Sequence, residues 1–232
     1  MVLTGSCPWP GPWFRSYGAH LHLQAREDPH PTAKAVPSAS FEMTSKESLR
    51  KDARARRATL AAAAPDFAAS VARFGAMLPI AEDAVVASYW PVRDEADPRA
   101  LASVLASRGH SIVLPIIAGP EAALSFRPWR EGDVLSPNRH GVHEPQPYLD
   151  AVAPQVLLVP LLTFDADGVR LGYGGGYYDR TLAALRGPRT IRGHIVAIGV
   201  AYAGQEVAKL PRDAHDQRLD GVVTENGFRK FG

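Results

Sequence analysis

The stretch "QVLLVPLLTFDADGVRLGYGGGYYDRTLAALR", residues 155–186, decides the fold. Its first ten residues are almost wholly apolar, as in a strand buried on both faces of a parallel sheet. The "DADG" that follows is a turn, and residues 177–186 read as a helix. Between turn and helix, "RLGYGGGYYDR" (170–180) packs four glycines into eleven residues. Glycine costs backbone entropy, so such a cluster marks a tight bend or a close approach. The commonest group approached in this way is a phosphate. Glycines permit positive φ and let N–H groups converge on an anion, and the helix start behind them adds partial positive charge. Arg170 can add a full charge, bidentate to phosphate oxygens. Asp179, in the first turn of the helix, is unfavourable beside a phosphate unless a cation intervenes, which suggests Mg²⁺. The plainer reading is a ligand-free tight turn in which Asp179 only stabilises the helix start. The loop fits neither the G-x-x-x-x-G-K-[ST] pattern nor a dinucleotide G-x-G-x-x-G in its required context. Arg170, the paired tyrosines and the acid favour a ligand.

Outward from this stretch, strands and helices alternate. Thr44 reads as an N-cap, with Glu47 completing a capping box, and a helix runs on towards Ala64. Pro65 opens a second helical stretch to residue 79, with Phe67, Val71, Phe74 and Leu78 on one face. Residues 84–90 and 111–117 read as buried strands, and 123–129 as a third with period two. Asp97 and Pro98 form an N-cap and N1 pair for a helix through Ser107. Residues 130–150 show no period. Strands return at 194–202 and 221–225. The expected fold is therefore α/β, a three-layer α/β/α arrangement with a mostly parallel sheet.

The chain of 232 residues has ordinary composition, 46% hydrophobic and 22% charged. No apolar run reaches membrane-spanning length. A net charge of +2 does not argue for nucleic acid, and a single cysteine, Cys7, excludes an internal disulfide and fits a reducing compartment. Residues 1–42 are proline-rich and aperiodic. They read as a dispensable leader, either a disordered tail or an artefact of a start upstream of Met43. Residues 43–232 form one domain.

"GVRLGYGGGYYDR" resembles the signature of the 5-formyltetrahydrofolate cyclo-ligase (methenyltetrahydrofolate synthetase) family. The likeness extends over nearly all of 43–232. It includes "SKESLRKDARARR", "YWPVRDEAD", "LSFRPWREGDVL", "GVHEPQP" and "LPRDAHDQRLDGVVTE", in the family's order. Many family members carry lysine where this chain has Gly175, so the missing charge must come from elsewhere. The first helix offers it. Lys46, Arg50, Arg54 and Arg57 share one face, beside an apolar stripe of Leu49, Ala53 and Leu60. Alone, the row reads as a solvated basic face or a nucleic-acid contact.

The resemblance implies a cytoplasmic, monomeric enzyme that closes 5-formyltetrahydrofolate to 5,10-methenyltetrahydrofolate with ATP and Mg²⁺, with neither nucleic acid nor membrane as partner. It implies that Lys46, Arg50 and Arg170 act on ATP, together with Leu171, Gly172, Tyr173, Gly174, Gly175, Gly176, Tyr177 and Tyr178. Folate would lie against Val92, Trp129, Tyr173, Gly174, Gly175, Gly176 and Tyr177, with Glu95 or Asp97 receiving the pterin N–H groups. Asp216 would join Asp179 as a Mg²⁺ ligand. Phe126 reads with Trp129 as core or as folate packing. The group His140, His143 and Glu144 lacks convincing zinc spacing. Two other readings are a phosphate-binding sugar-phosphate isomerase or acyl-transferase relative, and an RNA-associated protein using the basic helix.

Overall fold

The computed structural model describes residues 45–138, 141–187 and 194–232. The leader, Met43, Thr44 and His140 lie outside these.

Helix α1 spans Lys46–Ala63, α2 Phe67–Ala72, α3 Arg99–Ser107 and α4 Tyr177–Leu185. The strands are β1 (Val85–Ala87), β2 (Ser111–Ile116), β3 (Ser125–Pro128), β4 (Ser136–Pro137), β5 (His143–Glu144) and β6 (Val156–Pro160). They continue as β7 (Thr163–Phe164), β8 (Arg170–Leu171), β9 (Val196–Val200), β10 (Gly221–Thr224) and β11 (Gly227–Lys230). The main sheet has seven strands in the order β11-β10-β9-β6-β1-β2-β3. Its five central strands run parallel, and β11 and β3 close the edges antiparallel. β4 pairs with β5, and β7 with β8, as short separate ladders.

Strand periodicity divides the core. Val156, Leu158, Ile112, Leu114 and Ile198 face α2 and α3, meeting Phe67, Val71, Leu101 and Leu105. The alternate residues Leu157, Val159, Val113 and Ala197 face α4 through Leu182. This is the three-layer arrangement, and fully burying each such leucine or valine contributes about 1.5–3 kcal/mol. Among the described residues, no helix is long and apolar enough to cross a membrane.

Several elements depart from the sequence reading. The N-cap of α1 is Ser45, whose Oγ accepts the N–H of Ser48 at 3.3 Å, and the expected box from Thr44 lies outside the described residues. The second helical stretch breaks after Ala72 into a 3₁₀ turn at Gly75–Met77. Gly75 permits close packing there, since a Cβ would come within 2.8 Å of Val104. Pro98 rather than Asp97 caps α3, although Asp97 Oδ1 still accepts the N–H of Arg99 at 2.9 Å. The final strand has a partner, β11, across a two-residue turn at Glu225 and Asn226, with Gly227 opening β11 at φ +131°.

Candidate active site

The apolar β6 ends at Pro160 and hands the chain to the β7–β8 hairpin. Buried Asp165 organises the hairpin turn, its carboxylate accepting the N–H groups of Asp167, Val169 and Leu210, each at 3.0 Å. The chain leaves β8 into the glycine loop, residues 172–176, which opens α4. Gly174 (φ +101°) and Gly176 (φ +66°) sit in conformations that side chains resist.

The basic face of α1 lies against this loop. Arg50 Nε donates to the carbonyl of Gly172 at 3.1 Å. Its guanidinium would touch a Cβ at Gly174 at 3.3 Å. Gly174→Ala is therefore expected to strain the backbone and push Arg50 aside, weakening any nucleotide binding at this loop about tenfold. Titration of nucleotide binding checks this, and unchanged affinity would detach the loop from the nucleotide. Gly175 has no such φ, but a Cβ there would meet the Tyr177 ring at 3.0 Å. The lysine common elsewhere thus requires a small shift of that ring.

Lys46 Nζ reaches Asp216 Oδ2 at 2.6 Å and Asp213 Oδ2 at 2.7 Å. Burial pulls its pKa down, but the bonds to these acids more than offset this and the net shift is upward. Arg57 is 2% exposed. It forms a fork with Asp94, Nε to Oδ2 at 2.9 Å and Nη2 to Oδ1 at 3.1 Å. The hydrogen bonds from Arg57 hold Asp94 below the ordinary carboxylate range. Glu95 lies 3.9 Å from Arg57 Nη1, and burial pushes its carboxyl upward. Arg54 and Arg57 both approach the Tyr173 ring, at 5.8 and 5.2 Å. Lys46, Arg50 and Arg57 are thus engaged by the cleft and its surroundings, while Arg54 stays exposed at the edge.

Arg170 is nearly buried, its side chain 5% exposed. Nη2 meets Asp179 Oδ1 at 2.8 Å, and Nη1 donates to the Gln217 carbonyl. Burial lowers the Arg170 pKa. The sequence reading gave Arg170 a bidentate phosphate contact. Instead, its fork is turned to the protein, fastening α4 to the 213–217 loop.

Asp179 Oδ1 also accepts the N–H of Gln217 at 3.0 Å, next in the chain to Asp216. The two acids named for the metal thus share one rim of the cleft. Each uses a single oxygen in the bonds to its neighbours, Oδ1 of Asp179 and Oδ2 of Asp216. Among the described residues no group of three or more His, Cys, Asp or Glu gathers to hold a metal. Mg²⁺ takes oxygen ligands, and one or two carboxylates with phosphate and water suffice, so this donor set fits it.

These groups line one end of a cleft of about 720 Å³. The other end is apolar and aromatic, with Tyr89, Trp90, Val92, Ile117, Leu124 and Val142. The cleft lies beyond the carboxyl ends of β1, β2 and β6. Successive connections leave β1 and β6 on opposite faces there, the usual crevice of an open α/β sheet. Glu95 lines the cleft, its Oε2 accepting the Val92 N–H at 2.9 Å. Two residues expected at folate do not line it. Asp97 is engaged by Arg99, with Nη2 at 2.7 Å from Oδ2. Trp129 is buried behind Trp90, edge-on at 6.0 Å between ring centroids, and Phe126 is core. The β4–β5 hairpin, aperiodic in sequence, brings Val142 to the wall and is held by Glu144, which accepts the Ile117 N–H at 3.0 Å.

A cleft at the carboxyl edge of a largely parallel sheet, with a glycine loop feeding a helix, defines an α/β enzyme. The model of the 5-formyltetrahydrofolate cyclo-ligase family matches residues 42–225. The chain belongs to that family. It is similar to the 5-formyltetrahydrofolate cyclo-ligase of Escherichia coli K12, 35% identical over 154 residues, covering 63% of this chain and 80% of the relative. The Haemophilus influenzae protein of that name is 29% identical over 143 residues, covering 60% and 74%. The solution structure of Aquifex aeolicus 5,10-methenyltetrahydrofolate synthetase superposes with a TM-score of 0.61 at 29% identity, covering 80% of this chain and 92% of that one.

Proposed function

We propose that the protein uses ATP to close 5-formyltetrahydrofolate to 5,10-methenyltetrahydrofolate, releasing ADP and phosphate. The observation that carries this reading is the continuity of the cleft. One cavity is lined both by cationic and glycine residues suited to phosphates and by apolar and aromatic residues suited to a pterin, with Glu95 among its lining groups. Family membership supplies the substrate class.

The chemistry needs no nucleophilic side chain. A formyl oxygen is a poor leaving group. Transfer of the γ-phosphoryl group onto it, with ADP departing, converts it to a good one. N10 of the folate then attacks the activated carbon and gives up its proton to solvent, and the carbon–oxygen bond breaks as phosphate leaves. Lys46 and Arg50 would neutralise phosphate charge, and free N–H groups of the glycine loop would hold phosphate oxygens. Arg170 acts from behind, holding the Asp179 carboxylate in place. Asp179 and Asp216 would hold Mg²⁺, which supplies further charge neutralisation on the nucleotide. Glu95, Val92 and Tyr173 would seat the folate.

The methenyl-folate chromophore is expected only when ATP, Mg²⁺ and 5-formyltetrahydrofolate are present together, with ATP consumed in step. No ATP-dependent product at any Mg²⁺ concentration would overturn the reading.

A further inference from the structure

Arg180 is the one arginine of the glycine signature that does not face the cleft. Its side chain folds back along α4 onto the outer side of the loop. Nη2 donates to the carbonyl of Gly175 at 2.8 Å and to that of Pro120 at 3.0 Å. Nε donates to the carbonyl of Ala122 at 3.3 Å. The guanidinium lies over the Tyr177 ring, 5.1 Å from its centroid. At Gly176 a Cβ would come within 2.5 Å of Nη1, so the bare glycine backbone permits this approach.

The consequence follows from peptide geometry. In a planar trans peptide the C=O and N–H point in opposite directions. Arg180 takes the carbonyl of Gly175, so the N–H of Gly176 points the other way. Gly175 and Gly176 line the cleft and Arg180 does not, so the other way is the cleft. Among the described residues, no protein group accepts from that N–H. A glycine peptide left unheld could rotate and present its carbonyl instead, which would repel an anion.

We propose that Arg180 is a positioning residue. It fixes the Gly175–Gly176 peptide with its N–H towards the cleft and ties the glycine loop to residues 120–122, so that the anion cradle is formed before the anion arrives. Preorganisation of this kind gains affinity by removing an ordering cost. The inference rests on the reading that this loop takes the phosphates of ATP.

The test compares Arg180→Met, which removes the donors, with Arg180→Lys, which keeps the charge but cannot fork to carbonyls on two segments. ATP affinity is measured by calorimetry with Mg²⁺ and without folate, alongside the KM of each substrate and Tm. The expected result is an ATP Kd and KM raised about tenfold in Arg180→Met, with the KM for 5-formyltetrahydrofolate unchanged and Arg180→Lys between the two. An Arg180→Met protein of lowered Tm but ATP affinity within about twofold of the parent would overturn the proposal, leaving Arg180 as an anchor for residues 120–122. If Arg180→Met does not fold, Arg180→Lys is decisive on the same readouts. Failure of the parent chain to bind ATP would overturn the functional reading instead. Pyrophosphate then serves as the probe, and equal affinity of parent and variant, or none in either, would overturn the positioning role.

Discussion

Arg57→Met is expected to cost about 3 kcal/mol and to lower Tm by about 10 °C, measured by thermal and denaturant unfolding. Removing one partner of a buried ion pair strands the other. The figure sits at the lower end of the usual range because Asp94 is 26% exposed and water can partly solvate it. Methionine keeps most of the volume, so the loss reports the fork rather than a cavity. The pH dependence has a definite sign. Asp94 is depressed in the fold, so its contribution is fully present above the ordinary Asp value of 3.8. It is lost as pH falls through the lower folded value. The stability gap between parent and variant should therefore close on acidification. A gap that held constant down to acid unfolding would assign the loss to packing. The variant should also bind folate less tightly, since the fork holds the turn carrying Glu95.

Asp179→Asn and Asp216→Asn are expected to separate, although both acids were read as metal ligands. Asp179 is the counter-ion of a nearly buried arginine. Its neutralisation leaves Arg170 unpaired and should cost about 2 kcal/mol, discounted because the carboxylate is 30% exposed. Asp216 instead pairs with Lys46, whose side chain is 22% exposed against 5% for Arg170, so water can solvate the stranded partner. Its replacement should leave Tm within about 2 °C of the parent. Both should raise the Mg²⁺ needed for half-maximal turnover, and the double change should raise it by less than the two singles combined. Strictly additive effects, or a normal Mg²⁺ response in Asp216→Asn, would return Asp216 to ordinary surface. Equal losses of stability in the two singles would remove Asp179 from its role beneath Arg170.

What was legible in the sequence was local. The glycine loop, the helix behind it and the basic row of α1 depend on spacing within one turn or one helix, and spacing can be read directly. The layered sheet was legible because apolar runs alternate with amphipathic ones. What stayed hidden depended on where distant segments meet. Arg57 looked like one more member of a surface row. Its burial is set by Asp94, and by the position of α1 across the sheet edge. That Glu95 and not Asp97 lines the cleft goes with Arg93, a non-glycine residue at φ +58° beside the turn in which Glu95 accepts the Val92 N–H. Trp129 was read as the ring partner, whereas Trp90, which that reading passed over, is the tryptophan that lines the cleft. Arg170 does line the cleft, but its donors are directed to the protein, which no spacing in the sequence shows.

The clasp of α1 has a further meaning for the order in which the chain is made. Arg50 grips a carbonyl 122 residues later, and Lys46 grips acids 167 and 170 residues later. As the polypeptide emerges during synthesis, this helix appears early and must wait for almost the whole domain before its side chains find their partners. A fragment stopping short of Asp213 would carry the glycine loop and five of the seven sheet strands, yet Lys46 would have no acid to hold it and Arg170 no Gln217 carbonyl to meet. The cationic end of the cleft therefore belongs to no contiguous piece of the sequence. It comes into being only when the first and last portions of the domain close on the middle.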